Sequence, residues 1–226
     1  MADIVFIIDE ATGALTIEGL ADEAALALAE GLLPPPRAFA CARPLAPARL
    51  PATSVSPGAA TLRVFRLWHG SVAEGPGRRS VVQLAGCPIR CAGCHSRETW
   101  DPAGGRTLAV AAVAAALLDP DGAPRDGITV LGGEPFAQPD GLADLLAELR
   151  RRQPGIHITL YSGYALEALT RRPEPTVRMA LDLADLLIDG PFVARLSLGA
   201  GEWRGSTNQR LIARPVQHLT RGVRPR

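Results

Sequence analysis

Three of the four cysteines crowd into one stretch, Gly86-Cys87-Pro88-Ile89-Arg90-Cys91-Ala92-Gly93-Cys94-His95, so any fold this chain adopts must gather three thiols on one loop. Thiols crowded at C-x3-C-x2-C spacing read as metal ligands and not as a disulfide framework. Thiolates are soft donors suited to iron-sulfur clusters, and a cube held wholly by protein would need four of them. Three leave one iron open to an external ligand, for which the carboxylate and amine of an amino acid would serve. The rival reading is zinc held by Cys87, Cys91, Cys94 and His95, a permitted Cys3His set, although adjacent ligands at Cys94 and His95 make tetrahedral closure awkward. Cys41 stands alone in a Pro-rich stretch and reads as a bystander thiol.

With 226 residues, 47% of them apolar, the chain can bury a real core and carry an appendage. A formal charge of +1 gives no overall field toward nucleic acid or an anionic membrane, so neither is expected as a partner. The chain contains no lysine, which excludes a lysine Schiff base. No leader-like opening and no apolar run of about 18 residues is present, and a cytoplasmic location is expected.

Ile4 to Asp9 and Ala14 to Glu18 read as strands about the Ala11-Thr12-Gly13 turn, and Asp22 to Gly31 as a short helix. Proline and alanine then dominate from Leu33 to Gly58, which disfavours helix and sheet alike. The expected organisation is a hairpin-helix extension over 1–33, a linker over 34–60 and a main domain over 61–226. In the main domain, Leu62 to Trp68, Ser80 to Leu84, Gly127 to Leu131, Ile156 to Tyr161 and Leu186 to Ile188 read as strands. Helices are expected over Thr107 to Leu118, Gly141 to Arg152 and Tyr164 to Arg171, with a helix or strand entry before Leu186. This alternation predicts an α/β fold with a parallel sheet, whose ligands sit at the carboxyl ends of the strands. There fall the cysteine loop, Gly132-Gly133-Glu134-Pro135, Ser162-Gly163 and Asp189.

The cysteine loop, the Thr99-Trp100 that follows, the Gly-Gly-Glu-Pro stretch and Trp203-Arg204-Gly205-Ser206-Thr207-Asn208-Gln209-Arg210 together resemble the radical S-adenosylmethionine activating proteins, most closely those of anaerobic ribonucleotide reductase. The resemblance covers roughly residues 62 to 213. It implies a partial, open parallel β/α barrel and a [4Fe-4S] cluster on Cys87, Cys91 and Cys94, with S-adenosylmethionine on the fourth iron. Gly132, Gly133 and Glu134 would meet the methionine end, Gly93, Cys94 and His95 would run beside the adenine, and Ser162 with Asp189 would lie near the ribose or the reaction face. A flavodoxin- or ferredoxin-like protein would deliver one electron, the cofactor would split to a 5'-deoxyadenosyl radical, and hydrogen would leave a glycine of a partner glycyl radical enzyme.

Each of these residues has an ordinary alternative. Gly132-Gly133 could be a tight turn and Glu134 a solvated acid, Ser162 a helix cap, Asp189-Gly190 a plain turn and His95 a surface imidazole. After the third cysteine the subfamily usually places an aromatic residue and an amide, where this chain has His95 and Ser96. Residues 1–60 are also an addition to the compact activating proteins, consistent with a different protein or peptide substrate or with a strand pair packed on the sheet. Arg204, Arg210, Arg214, Arg221, Arg224 and Arg226 read mainly as a solvated end, with Arg204 placed to position a partner or loop. Trp68, Trp100 and Trp203 read as core or rim packing. The activating enzyme, a radical modifier of another protein or peptide, and a zinc-stabilised binding module therefore remain as the three readings.

Overall fold

Short apolar runs punctuated by glycine and proline become strands in the computed structural model, which describes residues 5–8, 15–18, 50–51, 55–118 and 125–216. The chain divides into two compact units, residues 1–44 and 45–226. In the first, β1 (Val5–Ile8) and β2 (Leu15–Glu18) form an antiparallel hairpin in which Ile8 faces Leu15. The helix expected over Asp22 to Gly31, Cys41 and most of the linker lie outside the described residues.

The second unit is built on one seven-stranded sheet of order β5-β3-β4-β6-β7-β8-β9. Its members are β3 (Thr61–Ser71), β4 (Arg79–Leu84), β5 (Arg106–Ala109), β6 (Gly127–Gly132), β7 (His157–Ser162), β8 (Leu186–Asp189) and β9 (Arg210–Ala213). The central strands β4, β6, β7 and β8 run parallel, while β3, β5 and β9 pair antiparallel at the flanks. The sheet is open, with β5 and β9 as its edges. An α/β architecture with a parallel centre is thus as expected, and antiparallel flanks are an addition to it.

Among the described residues four α-helices accompany the sheet: α1 (Val110–Leu118), α2 (Pro139–Arg152), α3 (Leu166–Leu169) and α4 (Pro175–Leu183). Helix α2 shows why the pattern folds as it does. Leu142, Leu145, Leu146 and Leu149 recur at helical spacing and are fully buried, each worth roughly 1.5–3 kcal/mol of burial. Pro139 opens the helix where its missing N–H costs nothing, and three arginines occupy its last turn, where the helix dipole favours cations. Arg150 reaches beyond that end to the Leu183 carbonyl at 2.8 Å and Asp185 at 2.6 Å, tying α2 to the chain entering β8.

Period-2 alternation gives the two faces of the sheet different chemistry. Val82, Leu84, Ile128, Val130, Ile158, Leu160 and Leu187 join the helices in one apolar core. The intervening Gln83, Thr129 and Thr159 are polar and buried. At the amino end of β4 on this polar side, the fully buried Arg79 binds Thr129 Oγ1 and the carbonyls of Pro76 and His157, and burial lowers its pKa to about 10.

Two sequence readings are corrected. Thr107 to Leu118 is not one helix, because Arg106 to Ala109 pair with Val64 to Thr61 as edge strand β5 before α1 begins. Pairing the open edge of β3 outweighs the helix preference of an Ala-rich run. The helix expected from Tyr164 to Arg171 shortens to Leu166–Leu169, and strand β9 lies where the sequence offers only a tail motif. Among the described residues no helix is long and apolar enough to cross a membrane.

Candidate active site

β4 delivers the chain at the carboxyl end of the parallel strands directly into the cysteine loop. The loop is closed at its base by backbone bonds: the Gly86 amide donates to Thr99 at 2.7 Å and the Cys87 amide to Trp100 at 3.1 Å. Inside it the Cys94 amide donates to the Cys91 carbonyl at 3.1 Å. Arg90 and Gly93 take positive φ values of 51° and 77°, so the loop doubles back twice. At Gly93 a side chain would also press on Ala194.

The Gly132-Gly133-Glu134 segment leaves β6 beside this loop and is fastened to it. The Gly133 amide donates to Leu84 and the Glu134 amide to Gly86, each at 2.8 Å. A Cβ on Gly133 would collide with the Gly86 carbonyl, and one on Gly132 with the Leu84 backbone. Close passage of two backbones is what these glycines permit.

Glu134 is fully buried and extended toward β7. Its Oε1 accepts from the Phe136 amide and the Ser162 hydroxyl at 3.0 Å, and its Oε2 from the Gly163 amide at 2.8 Å. Burial lifts its pKa to about 7 against the pull of those donors. It is neither the solvated acid of the ordinary reading nor a free ligand; it is the tie between two strand ends.

These parts enclose a cavity of about 380 Å³. Cys87, Cys91, Cys94, His95, Gly132, Gly133, Glu134 and Ser162 all line it. Gly93 does not, being turned against Ala194. Asp189 is likewise absent from the lining. Its Oδ2 accepts from the Leu166 amide at 2.6 Å and its Oδ1 from Arg210 Nε at 2.9 Å, so it starts α3 and holds β9. Ser162 is shared, since its hydroxyl also accepts from the Tyr164 amide at 3.0 Å. Arg204 donates to the Gln209 carbonyl at 3.4 Å within its own segment. Trp100 lines the cavity, while Trp68 carries Arg66 over its ring at 5.3 Å.

The cavity also has walls that motif reading does not single out. Gln83, Leu131 and Tyr161 reach it from the sheet, with Glu74 and Phe192 from the loops, and Gln209, from the Trp203 to Arg210 segment already singled out, joins them. Tyr161 donates to the Trp203 carbonyl at 2.6 Å, and Gln209 clasps the Gly205 amide and the Gly190 carbonyl. A polar residue at every second place from His157 to Tyr161 is the available signal for Tyr161; Gln83 is marked only as a single amide in the run Val81-Val82-Gln83-Leu84.

The donor chemistry fits an iron-sulfur cluster. Three half-buried thiols face one cavity, and the Ser96 amide donates to Cys94 Sγ at 3.4 Å, the kind of contact that supports a thiolate. Burial pushes the Cys87 thiol up, partly offset by the Arg90 and Ile89 amides; the bare loop therefore favours the protonated thiol and cluster uptake must release that proton. A mononuclear Cys3His site fits less well. The His95 ring packs on Phe192 with centroids 5.1 Å apart, and its place next to Cys94 in the chain makes tetrahedral closure awkward.

Comparison with known proteins agrees with that chemistry. Residues 73–212 match the family model described as a 4Fe-4S single cluster domain. The chain is 33% identical over 153 residues to the anaerobic ribonucleoside-triphosphate reductase-activating protein of Salmonella typhimurium, an alignment spanning 66% of this chain and 96% of that protein. It is 32% identical over 143 residues to the protein of the same name from Escherichia coli, spanning 61% and 90%. It is 33% identical over 135 residues to the pyruvate formate-lyase-activating enzyme of Clostridium pasteurianum, spanning 57% and 55%. The zinc-module reading gives way to the 4Fe-4S one.

Proposed function

Since the chain belongs to the 4Fe-4S radical S-adenosylmethionine activating enzyme family, we propose that it cleaves S-adenosylmethionine reductively and takes hydrogen from a backbone glycine of a partner glycyl radical enzyme. The observation that carries this is the meeting of Cys87, Cys91 and Cys94 with Gly132, Gly133 and Glu134 around one cavity. When bound, the cluster would supply one electron to the sulfonium, giving methionine and the 5'-deoxyadenosyl radical.

The chain's own residues do the rest. Cys87, Cys91 and Cys94 would hold three irons, leaving the fourth for the methionine amine and carboxylate. Gly132 and Gly133 present bare backbone to that end, and Glu134 keeps it in place by binding Ser162 and Gly163. His95, braced by Phe192, would flank the adenine, with Gly93 supporting the turn beneath it. Ser162 would stand near the ribose. Asp189, committed to Leu166 and Arg210, would act on the ribose side only by setting the β8 loop. The cavity walls would shield the radical from stray C–H and S–H donors, whose hydrogen it would otherwise take.

The open sheet is read as the partial barrel of this family, with its polar face inward. The substrate would be a protein, by analogy with relatives named for activating ribonucleoside-triphosphate reductase and pyruvate formate-lyase, and the electron would come from a flavodoxin- or ferredoxin-like donor. Residues 1–33, joined by a linker over 34–60, would serve as a docking arm for that substrate.

The test is anaerobic reconstitution of the full chain. Brown protein with about four irons that forms 5'-deoxyadenosine under reductant, and a glycyl radical on an added anaerobic reductase, are the expected results. Colourless protein holding one zinc would overturn the proposal. Cofactor cleavage without a radical on any glycyl radical enzyme would instead direct the chemistry to another protein or peptide.

A further inference from the structure

Gln83 is only 2% exposed, and the two ends of its amide are treated differently. Nε2 donates to Ser96 Oγ at 3.1 Å, while Oε1 has no partner. A buried acceptor left unpaired in the protein is destabilising; Gln83 stands at the cavity wall, so stability alone does not account for an amide here. What the amide does accomplish is to bind the sheet to Ser96. Ser96 is also gripped from the other side, its carbonyl accepting the Thr99 amide at 3.1 Å and the Thr99 hydroxyl at 2.7 Å. Held between these, its own amide points to Cys94 Sγ at 3.4 Å.

We propose that Gln83 is a positioning residue that, through Ser96, keeps an N–H on the Cys94 sulfur and thereby sets the reduction potential of the cluster. This rests on the reading of Cys94 as a cluster ligand. Hydrogen bonds to the sulfurs are among the quantities that set such a potential, because a donor stabilises the more negative, reduced cluster. The Cys87 thiol is served by the Arg90 and Ile89 amides of the loop itself, whereas the amide on Cys94 belongs to a residue that the sheet holds through Gln83; Cys94 is therefore where the sheet bears on the acceptance of the electron. The step concerned is the gain of one electron by the cluster and its loss by the reductant, with no bond made or broken.

The experiment compares the full chain with Gln83→Leu, Ser96→Ala and the double variant, each reconstituted anaerobically. Iron content, melting temperature and the reduction potential from an electron-paramagnetic-resonance titration with dithionite are measured. Gln83→Leu is expected to keep its iron and its melting temperature, or to gain in the latter. At a fixed poise its ratio of reduced to oxidised cluster should fall about tenfold, which is about 59 mV for one electron. The double variant should match Gln83→Leu, since both changes break one relay. An unmoved potential in iron-replete Gln83→Leu, additive shifts in the double variant, or loss of iron from Gln83→Leu would each overturn the inference while leaving the cluster reading intact. A wild-type chain that takes up no iron overturns both.

Discussion

Glu134 accepts the Ser162 hydroxyl at 3.0 Å across 28 residues of sequence, joining the end of β7 to the segment that leaves β6. Because burial lifts the Glu134 pKa to about 7 from an ordinary 4.5, the folded protein binds more protons than the unfolded chain between those values. Its contribution to stability is therefore full below about 4.5 and is lost as pH rises through about 7. Melting temperatures of the metal-free chain should show this decline, and Glu134→Gln should remove it. The difference between the two proteins isolates it from His157, whose burial-lowered pKa acts in the opposite direction. Glu134→Gln should also cost about 1–3 kcal/mol, because an amide cannot accept from Phe136, Ser162 and Gly163 together.

The close passage of Gly133 over the Gly86 carbonyl predicts that Gly133→Ala cannot be absorbed by rotation of a side chain. A cost near the upper end for overpacking is expected, about 3 kcal/mol, together with loss of iron uptake as the cysteine loop is pushed off the β6 end. Gly155, where an added methyl group would meet nothing within 4 Å, supplies the control. Gly155→Ala should change stability by under about 0.5 kcal/mol. Urea unfolding of the two variants measures both.

Much of this is readable from the chain because it is local. Cysteine spacing, the Leu142 to Leu149 stripe and the glycine pair after β6 each depend on neighbours in sequence. What escapes depends on partners far away. Arg106 to Ala109 look helical until β3 is seen to need an edge partner, and β9 is short and mostly exposed, so no hydrophobic run announces it. Asp189 groups with the cavity on sequence grounds because it ends a parallel strand, which fixes its position but not its direction. Arg210, arriving from β9, captures it. Gln83 carries no motif at all; its importance comes from Ser96, thirteen residues on.

The same pairing gives a prediction about Asp189. It is fully buried and satisfied by Leu166 and Arg210, while Arg210 also binds Glu167 at 2.8 and 2.9 Å. Asp189→Ala should strand the Leu166 amide and one face of the guanidinium, at a cost of about 3 kcal/mol. Arg210→Ala should cost at least as much, about 3–5 kcal/mol, because it leaves the buried Asp189 carboxylate without its counter-charge and served by the Leu166 amide alone. If instead Asp189 grips the ribose directly, Arg210→Ala would leave stability alone and weaken cofactor binding in calorimetry.

Ligand assignment can be separated from loop structure by comparing His95→Ala with the three cysteine variants. Cys87→Ala, Cys91→Ala and Cys94→Ala should each lose iron and cofactor cleavage together, since a cube held by two thiolates is poorly retained. His95 is different because its ring is occupied in packing on Phe192. His95→Ala should therefore keep its iron, and weaken S-adenosylmethionine binding about three- to tenfold through lost aromatic contact, an effect of roughly 0.5–1.5 kcal/mol. Iron analysis and equilibrium dialysis read the two effects independently. Loss of metal from His95→Ala equal to that from the cysteine variants would place the imidazole among the ligands and reopen the Cys3His arrangement.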